Sequence, residues 1–309
     1  MSTIVFADPN DPVLKGVIGA SVFWKLSKSV NKNLLCAALD RAYSNGAKGY
    51  PHVPAGVTPA AALKRLMNEY TDRNNILKDA KHPMAGSKLP CYGIFHKSEI
   101  GRLNDGYELV WCAGLVYPDR QQMTNAELAQ KGLVFDGDVD YAKIRESFAL
   151  ELERLGPTEQ SIWLTSLVRN QMRAVPFGNG MFFIAPEHIA HWRQLTTLLA
   201  TFGITLYEIP AMRSDQAVAA VLSSLSDFCG KFKEELDAEL DGYFERKQSG
   251  QARKIQDRVI ASRQARCDEQ LALIASYENL FDTKLDEIKD QFLQCRARFG
   301  QLQLVGELR

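Results

Sequence analysis

The sequence has no net charge, since 37 Lys and Arg residues balance 37 Asp and Glu residues over 309 positions. No global field therefore draws it to nucleic acid or to an anionic membrane, and any such binding needs a local patch. It has no C-x-x-C pair. The six cysteines (Cys36, Cys91, Cys112, Cys229, Cys267 and Cys295) read as buried thiols of a reduced, cytoplasmic protein. No run of about 18 apolar residues is present, so no transmembrane segment is expected. The opening MSTIVFADPNDP lacks a basic region followed by an apolar one, so no signal peptide is expected either. No P-loop Lys-Ser/Thr, no H-E-x-x-H and no G-x-S-x-G occurs. What is present is an ordinary globular composition, 46% hydrophobic and 24% charged, long enough for a full core.

The last third is the most patterned stretch. Apolar residues fall at Val218, Leu222, Leu225, Cys229, Phe232 and Leu236, and again at Phe281, Leu285, Ile288, Phe292, Cys295 and Phe299. Steps of four and three keep a narrow stripe on one helix face, the pattern of a coiled-coil seam. The interruption at Gln248-Ser249-Gly250 suits a tight turn, so the spacing predicts an antiparallel helical hairpin with arms about 50 Å long. Ser214 is placed to cap its first arm.

Upstream, the patterns alternate between strand and helix. Residues 13–27 read as a strand bent at Gly16 and Gly19, and helices are expected over 31–43 and from Thr58-Pro59. Strands are expected at 91–97, 107–117 and 132–135, and helices at 138–155 and from Pro157. A strand, helix and strand over 181–209 fits a βαβ unit. The fold class expected is α+β: a mixed β-sheet domain packed with helices over 1–212, followed by the helical-hairpin coiled coil over 213–309.

Residues 234–245 carry six acidic residues and no Lys or Arg, whereas 246–266 are dominated by Arg246, Lys247, Arg253, Lys254, Arg258, Arg263 and Arg266. Folding back lays one stretch beside the other, so ion pairs set the hairpin register. The alternative is a basic tip (Arg246, Lys247, Arg253, Lys254 and Arg258) that holds nucleic acid or an anionic membrane surface. No aromatic residue interleaves with it to stack on bases. His188 and His191 lie one turn apart, but nothing completes a metal shell. Gly178-Asn179-Gly180 reads as a turn or bulge. Arg169, Arg173 and Arg193 form a candidate anion site, and Arg173, Gly178 and His188 mark where an active site would lie in the sheet domain. No catalytic residue, metal or cofactor is expected.

The run Gly180-Met181-Phe182-Phe183-Ile184-Ala185-Pro186, then a helix, a strand and a long helical stretch, resembles an uncharacterised family encoded by bacteria and their phages. The Thr58-Pro59 helix and Tyr277-x-x-Leu280 are similar in kind. The resemblance implies no catalytic residues. It implies a setting in phage biology or defence against phage. The expected function is non-catalytic assembly or recognition, as a homo-oligomer or with a protein partner. The contact residues expected are Leu222, Leu225, Phe232, Leu236, Tyr243, Phe244, Tyr277, Phe281, Leu285, Ile288 and Phe292.

Overall fold

The computed structural model describes residues 16–43, 56–80, 90–98, 106–116, 124–178, 180–248 and 257–307. In chain order the strands are β1 (Val17–Lys25), β2 (Val30–Asn31), β3 (Asn75–Asp79), β4 (Cys91–Ser98), β5 (Gly106–Leu115), β6 (Leu133–Gly137), β7 (Arg154–Leu155), β8 (Val175–Gly178), β9 (Met181–Ile184) and β10 (Thr205–Met212). The helices are α1 (Lys32–Tyr43), α2 (Pro59–Asn68), α3 (Asn125–Lys131), α4 (Tyr141–Glu153), α5 (Pro157–Asn170), α6 (Pro186–Ala200), α7 (Asp215–Gln248), α8 (Asp257–Phe281) and α9 (Asp286–Glu307). The class is α+β, as expected. No helix among the described residues is long and apolar enough to cross a membrane.

The chain divides into two compact units, Met1–Lys25 with Thr165–Arg309, and Leu26–Leu164. This differs from the boundary expected at 212/213. The physical reason is a shared core: Val221, Leu225, Tyr277 and Phe281 of the C-terminal helices cluster with Ile18, Val175 and Phe183 of the strands. Burying such side chains contributes about 1.5–3 kcal/mol each, so the helices and these strands stabilise one another.

Unit Leu26–Leu164 holds a four-stranded sheet in the order β3-β4-β5-β6 and the short ladder β2-β7. Thr58 caps α2 by accepting from the Ala61 amide, with Pro59 in the first turn, as its sequence position dictates. Leu63, Leu66 and Met67 of α2 and Ile144, Phe148 and Leu152 of α4 bury against Ile94, Trp111 and Leu115 of the sheet. The Gln160 side chain, fully buried, accepts from the Ser27 amide at 3.1 Å and donates to the Leu155 carbonyl at 2.9 Å. Arg65 pairs with Glu159 close by.

The other unit is built on a sheet in the order β10-β1-β9-β8. Every pairing in it is antiparallel, so β9 and β10 run the same way on either side of β1. The βαβ passage expected over 181–209 is therefore split by the insertion of β1. A register shift between Val17 and Gly19 supplies the bulge read from the glycines. Trp24 stacks on Phe182 and approaches Trp192 of α6, which covers that face.

The C-terminal helices correct the hairpin expectation. Residues 249–250, the expected turn, lie outside the described residues. The expected second arm is two helices. Asp282 takes φ 52 and the Thr283 amide bonds the Glu278 carbonyl, which ends α8 in the left-handed capping motif usually made with glycine. Glu278 then accepts from the Leu285 amide at 2.7 Å and pairs with Lys289, fixing the turn into α9. Glu239–Arg263 and Asp268–Arg296 set α8 antiparallel to α7 and to α9, while Phe232–Phe292 and Asp237–Arg298 set α7 parallel to α9. Three helices, not two, close the seam.

Candidate functional site

The contact residues expected for self-association are used inside the chain. Leu225, Leu236, Tyr277, Phe281 and Phe292 are buried, and Leu222, Phe232, Tyr243, Leu285 and Ile288 are partly buried against the same cluster. The Phe244 side chain lies outside the described residues. Most of the seam is thus core of this unit, while its partly buried Leu222, Leu285 and Ile288 also line an open groove.

At the tip, Arg253 and Lys254 and the side chains of Arg246 and Lys247 lie outside the described residues; Arg258 is exposed on α8. The register-setting ion pairs are present: Arg263 meets Glu239 at 2.8 Å and Arg266 meets Glu235 at 4.0 Å. Arg298 bridges Asp237 at 2.7 Å and Asp241 at 2.9 Å. Burial alone raises the Asp237 carboxyl, but hydrogen bonds from Lys233 and Cys295 and the charges of Lys233 and Arg298 bring it below its usual range. Partly exposed pairs like these contribute about 0–1 kcal/mol each.

The three arginines do not converge. Arg169 lies 5.7 Å from the Phe182 and Phe228 ring centroids, and Arg193 donates to Glu208 at 2.6 Å and 2.9 Å. Of the three, Arg173 lines the cavity described below. Gly178 and Gly180 take φ 83 and 76, left-handed values that suit the passage from β8 into antiparallel β9. Asn179 lies outside the described residues. All six cysteines are free thiols; burial pushes Cys229 up to about 12, and burial with the charge of Asp237 does the same for Cys295. No cluster of metal-ligating residues occurs among the described residues.

Two concavities stand out in this unit. The first is a cavity of about 300 Å³ where the turn after α5, the start of α6 and α8 meet, lined by Gln171, Arg173, Glu187, His188 and Tyr277 among others. Arg173 holds φ 47, a strained value for a residue with a side chain. The Tyr277 hydroxyl donates toward the carbonyls of Arg173 at 3.3 Å and Phe183 at 3.5 Å, which pins the Arg173 turn to α8 and β9. Burial drives His188 below the ordinary imidazole range; Glu187 pulls it up and Arg173 down. The imidazole is therefore neutral near pH 7. The sequence marks Arg173 and His188 as site candidates, but Tyr277 only as a contact residue and as part of the Tyr277-x-x-Leu280 step. Nothing local in the sequence marks the convergence of α8 with a turn some hundred residues earlier.

The second is an open groove of about 810 Å³ between α7 and the α8–α9 turn. Leu222, Leu285 and Ile288 line its apolar part, and Asp227, Lys231, Glu234, Lys284, Asp286 and Glu287 its polar part. Gly230, mid-helix in α7, also lines it, and a Cβ added there meets nothing within 4 Å.

Comparison with curated proteins and with solved structures gives no match. A family model does match, over residues 122–305, well over half of the chain, from α3 through α9. The chain therefore belongs to a family of unknown function, DUF6744.

Proposed function

We propose that the chain is a non-catalytic assembly or recognition protein that docks a partner through its C-terminal helices. The partner element is a basic amphipathic helix lying in the groove between α7 and the α8–α9 turn. The groove's lining carries the reading. Four acidic residues (Asp227, Glu234, Asp286 and Glu287) face two basic ones (Lys231 and Lys284), around Leu222, Leu285 and Ile288. Apolar contacts flanked by unlike charge suit helix-in-groove recognition, with the charge selecting a cationic partner. Gly230 adds to it, because a mid-helix glycine that no neighbour in its own chain requires lets another backbone approach closely. The setting we propose, a phage-related or phage-defence complex, rests on the resemblance carried by residues 180–186.

The test compares the full chain with its Gly230→Trp variant as bait in extract of the native cell, with circular dichroism on both. The expected result is a protein that crosslinks to α7 and to residues 284–291 through a basic helix and is lost from Gly230→Trp at unchanged helicity. Capture that survives the substitution, or crosslinks elsewhere, removes the groove from the proposal. Light scattering identifies one other occupant: a concentration-dependent dimer abolished by Gly230→Trp makes it a second copy of this chain.

A further inference from the structure

We propose that the cavity bounded by the turn after α5, the start of α6 and α8 binds a small zwitterion, a molecule carrying one carboxylate and one ammonium group, as a free amino acid does. This site is separate from the groove and does not depend on it.

Three observations lead there. The first is the pair of charges. Arg173 and Glu187 both line the cavity, yet neither joins an ion pair among the described residues, with each other or with any neighbour. Both residues are exposed, and opposite charges bordering one small concavity without pairing are complementary to a ligand that carries both. A dianion meets Glu187 unfavourably, and a diamine meets Arg173 unfavourably.

The second is what holds Arg173. Its backbone sits at φ 47, a left-handed value where glycine is the low-cost choice. The Tyr277 hydroxyl, itself on a buried ring, anchors the Arg173 carbonyl. The anchored backbone fixes where the exposed Arg173 side chain leaves the chain beside the cavity, and a guanidinium there offers a fork that matches two carboxylate oxygens.

The third is the rest of the lining. His188 and Gln171 supply neutral polar groups, and Met172 and Ala185 supply buried apolar wall. At about 300 Å³ the volume is at the small end for ligand cavities, which suits a ligand of amino-acid size.

The experiment uses the full chain and a panel of the standard amino acids at millimolar concentration, read by thermal shift and then calorimetry. Inorganic phosphate, succinate and 1,4-diaminobutane serve as controls. At least one amino acid is expected to bind, and both Arg173→Gln and Glu187→Gln are expected to weaken it by about tenfold or more. Arg173→Gly, which relieves the backbone and removes only the side chain, is expected to lose binding while keeping the native circular dichroism and melting cooperatively. The proposal is overturned if no amino acid binds. It is equally overturned if binding is indifferent to either charge, or if succinate or phosphate binds through Arg173 with no dependence on Glu187.

Discussion

His191 shows how one side chain ties this unit's stability to pH. It lies on α6 one turn beyond His188, and burial first, then the charge of His188, push it down to about 4 from an ordinary 6.5. The folded chain therefore binds this proton less readily than the unfolded chain. The contribution is fully present above about pH 6.5, falls as pH drops through the interval, and levels off near the folded value of about 4. Allowing for partial exposure of the ring, the loss is about 1–2 kcal/mol. Urea unfolding followed from neutral pH down to about pH 4 measures it, and His191→Gln is expected to flatten that slope. Carboxylates such as Asp237 and Glu278, held below their usual range, lose their contribution at lower pH, so the histidine interval is separable from theirs. A wild-type slope unchanged by His191→Gln would refute the assignment.

At the scale of elements, helices with regular apolar spacing were legible and their interruptions were not. Phe281 and Leu285 are four apart, so the stripe runs straight across the break between α8 and α9. The turn also lacks glycine and proline, because Asp282 supplies the left-handed residue, and aspartate tolerates that region better than most residues do. Strand β3 was missed for a different reason: Asn75–Asp79 is an edge strand with no residue fully buried, so it shows no alternation. In the candidate cavity, Arg173 and His188 stand out by residue type, whereas Tyr277 reads in the sequence only as one more apolar contact residue off the helical stripe. Gly230 is the reverse case, conspicuous only once the structure shows open space beside it. In a helix of 34 residues a central glycine costs roughly 0.5–1 kcal/mol against alanine. Gly230→Ala is accordingly expected to raise stability by about that amount, read from the urea midpoint, since its methyl meets nothing within 4 Å. A loss of stability instead would mean that the glycine serves the chain's own packing, and the groove would lose one of its supports.

For the whole molecule, the question is which stretch of chain can fold by itself. The periodicity of residues 213–309 suggests an independent helical domain, but the core argues against it. Tyr277 is buried against Phe183, with ring centroids 6.2 Å apart, and donates to carbonyls at positions 173 and 183. Cut at 212, the helices keep the ion pairs Glu239–Arg263 and Asp237–Arg298 but lose Ile18, Val175 and Phe183. Exposed apolar side chains cost more than surface ion pairs return. Extending the fragment back to Thr165 is also insufficient, because β1 lies between β9 and β10 and pairs with both. The family match, which starts at residue 122, likewise omits β1. Residues 213–309 alone are therefore expected to keep far-UV helicity, bind a hydrophobic dye and melt without a cooperative transition. Residues 1–25 joined to 165–309 by a flexible Gly/Ser linker are expected to melt cooperatively. Calorimetry on the two chains decides it: a sharp two-state transition for 213–309 would show that the helices need no sheet, and that the apolar contacts to Ile18, Val175 and Phe183 are incidental to their fold.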